Sequence, residues 1–387
     1  MKERNLTFTI LSAIGIVLIL LGHLDFGVLT LGGLFPYYSY HVMIFVFVAG
    51  YFYKEEDEEN IPGFLIRKTK SLMLPYFIWN VIYGLLCMLL KFFGFEFGGN
   101  ISLYNLFVAP FMGGHQFGLN APSWFVPALF LLEVCNILGR MVFKGSIWCI
   151  KKIVMTIAGE IPDMAVEEPA EWIIMAVYLI MGIVAVYLAQ RGSVYDYYKI
   201  PGRIMLMAPA FQFGRLYKTK LESIDKLPTV IYMGGCLFIN LILTFIHVGL
   251  AYSTVWVTGF GATPLTPFIT MFTGIALWLR ISRLLALGMT KGTLTERVVS
   301  FIGTHTFDAM THHLTIFLII KIILYLIGRI GHVFEDFDVT AFRTDIYYTY
   351  VPAGIESFKW VYLAIGIALS QVIYITERIR QIKASKH

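Results

Sequence analysis

Apolar runs of about twenty residues recur along this chain, separated by short stretches in which Lys, Arg, Asp and Glu gather. The first run, Leu6 to Leu24, contains none of those four residue types. A helix rises about 1.5 Å per residue and a bilayer's hydrocarbon core is roughly 30 Å thick, so runs of this length are long enough to cross it. Ten windows satisfy the pattern: 6–24, 36–53, 71–93, 121–143, 171–190, 201–217, 228–248, 264–287, 296–328 and 356–376. Every backbone N–H and C=O in lipid must be bonded within its own segment. The pattern therefore predicts an all-α, polytopic helical membrane protein with about ten transmembrane helices. No small-residue cleavage site follows the first run, which reads as a retained helix rather than a signal peptide.

Charge assigns the sides. If each window crosses once, the basic stretches Arg67–Lys70, Arg140–Lys152, Arg215–Lys226, Arg280–Lys291 and Glu377–Lys386 share one face. The positive-inside rule makes that face cytoplasmic and puts both termini there. The loops at 25–35, 94–120, 191–200, 249–263 and 329–355 then face the other side. Ile147–Gly159 is too short to span and is interrupted by Lys151 and Lys152, so Met141–Pro169 reads as a cytoplasmic or interfacial segment. Neither an internal repeat nor a long linker is visible, which leaves a single membrane domain over 1–387. Composition agrees, at 58% hydrophobic and 14% charged residues. The net charge of +5 belongs to the basic loops and implies no nucleic-acid partner. Cys87, Cys135, Cys149 and Cys236 form no C-x-x-C pair and read as inert packing residues.

Ionisable residues inside spans are the candidates for chemistry, since a strongly charged side chain there costs roughly 2.5–3.5 kcal/mol on insertion scales. His23 lies 19 residues after Arg4, about 28 Å along a helix, and so near the outer edge of the core. His41 opens the second span at that level, and His313 reaches it from the ninth. His305, Asp308 and His312 are spaced i, i+3, i+7, which predicts a hydrogen-bonded polar stripe lining a cavity in preference to a metal site. Glu133, in mid-span, needs a partner or a wet cavity, either orienting a histidine or held neutral. Arg67-Lys68-Thr69-Lys70 precedes the third span. Such a cluster suits either a phosphate or a plain interfacial anchor, and spacing alone favours the anchor.

Five segments in order carry a family resemblance. Ile14-Gly15-Ile16 through Leu21-Gly22-His23 comes first, then Tyr40-His41-Val42-Met43-Ile44-Phe45 through Ala49-Gly50-Tyr51. Arg67-Lys68-Thr69-Lys70 with Leu74-Pro75-Tyr76 follows, then Ser123-Trp124-Phe125-Val126-Pro127, and finally Ile302-Gly303 with Thr306 and His313. Together they resemble the acyltransferase 3 family of integral membrane acyltransferases, in particular its fucose 4-O-acetylase-like branch. The resemblance implies transfer of an acyl group, usually acetyl, from cytoplasmic acetyl-CoA to a hydroxyl on an extracytoplasmic glycan or lipid-linked sugar, in a bacterial cytoplasmic membrane. It implies a general-base role for His23 and contacts from Arg67 and Lys70 to the CoA phosphates. Trp124 and His313 would help shape the acceptor side, with Asp308 as a further substrate-side candidate, His41 and Glu133 as catalytic candidates, and a donor group or histidine steadying the oxyanion. Thr9 and Ser12 stand where many relatives carry an acid and a basic residue, so no ion pair is expected beneath His23. Asp25, at i+2, would lie on the wrong face of a continuing helix to replace it. The rival reading, a transporter of a glycan or lipid-linked precursor, predicts inverted repeats and paired broken helices, of which the sequence shows none.

Overall fold

A computed structural model describes residues 5–158, 171–246 and 249–371. It is helical, and its only extended pairing among those residues is two isolated bridges, Gly98 with Phe117 and Ser253 with Thr258. The main helices are α1 (Leu6–His23), α2 (His41–Tyr51), α3 (Ile61–Lys91, including a π-helical turn at Thr69–Met73), α4 (Phe125–Ala158) and α5 (Glu171–Gln190). They continue as α6 (Lys199–Leu216), α7 (Thr229–Phe245), α8 (Thr266–Gly288), α9 (Leu294–Thr304), α10 (Thr306–Gly331) and α11 (Lys359–Ser370).

Each of the ten predicted windows holds a helix, but the helices are unequal. Six helical stretches among the described residues are long and apolar enough to cross a membrane alone, and α7 is apolar but shorter. Helix α2 has only 11 residues, about 16 Å of rise. Its backbone is bonded internally, and neighbouring helices rather than lipid surround most of it. Helix α6 has the length but buries Arg203, Gln212 and Arg215, a composition that requires protein on every side.

Two expectations are corrected. The ninth window, 296–328, is not one helix: the chain breaks at His305 (φ −119°, ψ 36°), between α9 and α10. A continuous helix of that length would rise about 50 Å, far beyond the core. Gly303 and the Thr304 hydroxyl, which bonds back to the Ser300 and Phe301 carbonyls, weaken the helix just before the break. The predicted separate segment from Met141 is instead, as far as Ala158, a continuation of α4, which runs for 34 residues. Residues 159–170 lie outside the described part of the chain.

Helix α1 forms the hub. It packs against α2, α8, α9, α10 and α11, and 67% of its span is buried, compared with 22% for peripheral α5. Its apolar residues face all round because protein surrounds it, as expected for a helix lacking a polar face. Close approach elsewhere depends on glycine: Gly50 of α2 lies against the Phe211 carbonyl of α6, and Gly214 of α6 against the Phe47 carbonyl of α2. A Cβ at either position would overlap main-chain atoms, which cannot rotate away. Ala at Gly50 or Gly214 should therefore cost at least the 1–3 kcal/mol typical of overpacking, roughly, and lower the thermal midpoint in detergent. Gly234→Ala on α7, where a Cβ meets nothing within 4 Å, should leave the midpoint unchanged or raise it.

Candidate active site

Helix α1 ends at His23. Leu24 caps it, and Asp25 takes a left-handed conformation (φ 46°) whose carbonyl accepts a hydrogen bond from Lys359 Nζ at 3.0 Å. The turn delivers both His23 and Asp25 into a cavity of about 400 Å³. This corrects the wrong-face argument for Asp25, which assumed a helix that continues. His41 and His115 line the same cavity, together with the aromatic walls Tyr38, Trp124, Trp256 and Tyr347.

Hydrogen bonds fix two of the imidazoles. His41 donates Nδ1–H to the Tyr37 carbonyl at 2.5 Å, and His313 donates Nδ1–H to the Ala309 carbonyl at 2.8 Å. A carbonyl can only accept, so in each neutral ring Nε2 carries the lone pair. Nε2 of His313 is buried without a hydrogen-bond partner among the described residues. The His313 ring centroid is 5.1 Å from that of His23, and Tyr347 stacks on His23 at 5.2 Å with planes 10° apart. The His23 imidazole makes no hydrogen bond to another described residue. On the loop at 113–115, His115 donates to the Gly113 carbonyl at 3.1 Å and packs on Trp256 at 4.7 Å. Burial lowers its pKa below the ordinary histidine value, helped by the charges of Arg203 and Lys199, so it is neutral at physiological pH.

Buried Arg203 of α6 holds these loops in place. Its guanidinium donates to the carbonyls of Val255 (2.8 Å), Met112 (3.1 Å) and Gly113 (3.1 Å), and lies 5.3 Å from the Trp124 ring centroid. One cation thus ties three segments of the cavity wall together, with its charge spread over carbonyl dipoles.

A second cavity, about 300 Å³, lies further back along α1, where Ile16 and Ile19 line it. Phe45, Val48, Phe64, Leu72 and Leu129 give it apolar walls, and Asp57, Lys68 and Glu133 its ionic groups. Ile19, Phe125 and Met310 line both cavities and form the apolar constriction that separates them. Glu133 has its partner: Lys68 Nζ donates to Oε1 at 2.5 Å. Arg67 pairs with Asp57 at 2.7 Å at the rim.

Of the residues singled out from sequence, His23, His41 and Trp124 line the histidine cavity, with His313 packed behind His23. Glu133 lies in the other cavity, against Lys68 rather than a histidine. Arg67 and Lys70 are exposed beside that cavity, and the cation in its lining is Lys68. Asp308, in the first turn of α10, lines neither cavity. The His305–Asp308–His312 stripe lines neither cavity: His305 caps α10, its carbonyl accepting from the Ala309 N–H, and His312 shares a 2.7 Å hydrogen bond with Tyr83. Sequence reading missed Lys68, Tyr38, His115, Trp256 and Tyr347. Lys68 is flanked by chosen residues and Tyr38 lies in a short helical turn before α2, while His115, Trp256 and Tyr347 sit in loops with no periodicity to announce them.

The fold and site define a polytopic helical membrane protein with two cavities that share an apolar boundary inside the bundle, one rimmed by cations and the other by imidazoles. The chain belongs to the acyltransferase 3 family: that family's model, described as an acyltransferase domain, matches residues 7–337. It is a membrane acyltransferase. No match was found among curated proteins or among solved structures.

The Lys68–Glu133 pair generates an asymmetric prediction. The Glu133 side chain is 5% exposed and that of Lys68 27%. Lys68→Met strands a buried carboxylate and should cost about 3–5 kcal/mol. Glu133→Gln leaves a lysine able to reach water and should cost less, while Lys68→Met/Glu133→Leu should recover much of the loss, all read as thermal midpoints in detergent.

Proposed function

We propose that this chain is an O-acyltransferase of a bacterial cytoplasmic membrane, moving an acyl group, usually acetyl, from cytoplasmic acyl-CoA to a hydroxyl of an extracytoplasmic carbohydrate. The observation that carries this reading is that the two cavities have Ile19, Phe125 and Met310 as their common boundary. A donor and an acceptor approaching from opposite faces would meet there, within a few residues of His23.

The positive-inside rule gives the Lys68 end to the cytoplasm. Arg67, Lys68 and Lys70 offer charge to the phosphates at the mouth, and the apolar walls beyond suit the uncharged pantetheine arm. On the other face, Tyr38, Trp124 and Trp256 border the space for a sugar, and flat aromatic rings suit its C–H faces. His23 takes the proton of the acceptor hydroxyl as its oxygen bonds to the thioester carbonyl carbon. The C–S bond then breaks, and the same proton passes from His23 to the leaving thiolate, so no net proton is consumed. The developing oxyanion requires a donor. Neutral His41, with its Nδ1–H committed to Tyr37, presents only an acceptor at Nε2, so the donor has to be another group of the cavity wall, such as the indole N–H of Trp124 or Trp256.

Two measurements test this. His23→Ala should abolish transfer of labelled acetyl from acetyl-CoA with its thermal midpoint intact; full activity would remove His23 as base. Arg67→Ala should raise KM for acetyl-CoA more than it lowers kcat, because it acts on phosphates remote from the reacting carbonyl. An unchanged KM would take Arg67 out of the donor site.

A further inference from the structure

We infer that Tyr347 is the positioning residue for His23, holding the imidazole plane by stacking where no hydrogen bond does so, and that buried Lys321 sets Tyr347 in place. The inference rests on the general-base role of His23 proposed above. A general base must aim its lone pair at the proton it removes, and its ring is ordinarily oriented by a hydrogen bond to the second nitrogen. His23 lacks such a bond among the described residues. What it has is the Tyr347 ring, nearly parallel at 10°, and the His313 ring beside it.

Tyr347 belongs to a segment beyond the residues matched by the family model, so this part of the wall is added by the chain's later residues. The segment is fastened from several sides. Lys321 of α10, 1% exposed, donates from Nζ to the Ile346 carbonyl at 3.0 Å. The Tyr347 N–H donates to Asp345 Oδ1 at 2.8 Å, and the Tyr362 hydroxyl to the Tyr350 carbonyl at 3.0 Å. A buried ammonium is costly, and its spending on the main chain next to Tyr347 is intelligible if the position of that ring matters. Helix α10 thus carries both His313, packed on His23, and the anchor for the ring stacked on His23.

The test compares Tyr347→Phe, Tyr347→Leu and Lys321→Met with His23→Ala in acetyl transfer, each checked for an unchanged thermal midpoint. Tyr347→Phe keeps the ring and should retain wild-type kcat within about two-fold. Tyr347→Leu should lower kcat roughly ten- to a hundred-fold, the scale expected when a catalytic group is misplaced by about 1 Å, with KM for acetyl-CoA unchanged. Lys321→Met should lower kcat in the same direction. Wild-type kcat in Tyr347→Leu, or equal losses in the Phe and Leu variants, would overturn the stacking role, and wild-type kcat in Lys321→Met would overturn the anchoring. An active His23→Ala would instead bring down the general-base reading itself. Should Tyr347→Leu fail to fold, the Phe and Lys321→Met variants still decide: wild-type kcat in Lys321→Met, or a large loss in Tyr347→Phe, counts against the proposal.

Discussion

An ion carried into hydrocarbon has to bring its partner with it, because the surrounding medium neither solvates nor screens the charge. The buried cations of this bundle follow that constraint, and in doing so they set its tertiary structure. Arg140 forms a two-pronged pair with Glu171 (3.2 and 2.8 Å) and also donates to Gln212, and Arg215 reaches both Glu171 and Glu55, which joins α4, α5 and α6 to the segment after α2. Arg280 and Arg283 share Asp225, fastening α8 to the turn before α7. The main chain also serves as partner: Arg203 is held by three carbonyls, Lys321 by one, and Lys359 by the Asp25 carbonyl along with the Glu356 carboxylate.

These tethers have a consequence for the site. The carbonyls used by Arg203, Lys321 and Lys359 lie in the loops that wall the histidine cavity, so the loops are pinned from within the bundle. A cavity built on pinned loops can hold its shape without a ligand, as positioning chemistry requires. At the other end the ionic groups sit at the mouth, and the path inward is apolar. The cavities therefore differ in kind, one suited to an anionic, partly apolar molecule and the other to a polar acceptor among aromatic rings and imidazoles.

Backbone features supply the room. The glycine contacts between α2 and α6 bring those helices together, and the break at His305 lets α9 lie along α1 while α10 begins afresh. Thr306, Phe307 and Met310, just past that break, line the cation-rimmed cavity, and Met310 reaches the constriction. Had 296–328 remained one helix, its rise would have exceeded the membrane core, and these side chains would have followed a different register.

The all-α class, the positions of the main helices and the convergence of His23, His41 and His313 were legible in the sequence, because hydropathy and helical rise are local properties. The five ordered segments made the family legible as well. Local rules also misled where they presumed regularity: the single window at 296–328 and the wrong-face argument for Asp25 both assumed helices that continue. The partner of Glu133, the choice of Lys68 over its neighbours for the cavity lining, and the arrival of His115, Trp256 and Tyr347 beside His23 were decided only by tertiary structure. These depend on contacts between segments far apart in the chain, Lys68 with Glu133 and His23 with Tyr347 among them. A linear pattern records which residues are costly to bury, and only packing determines which group will meet that cost.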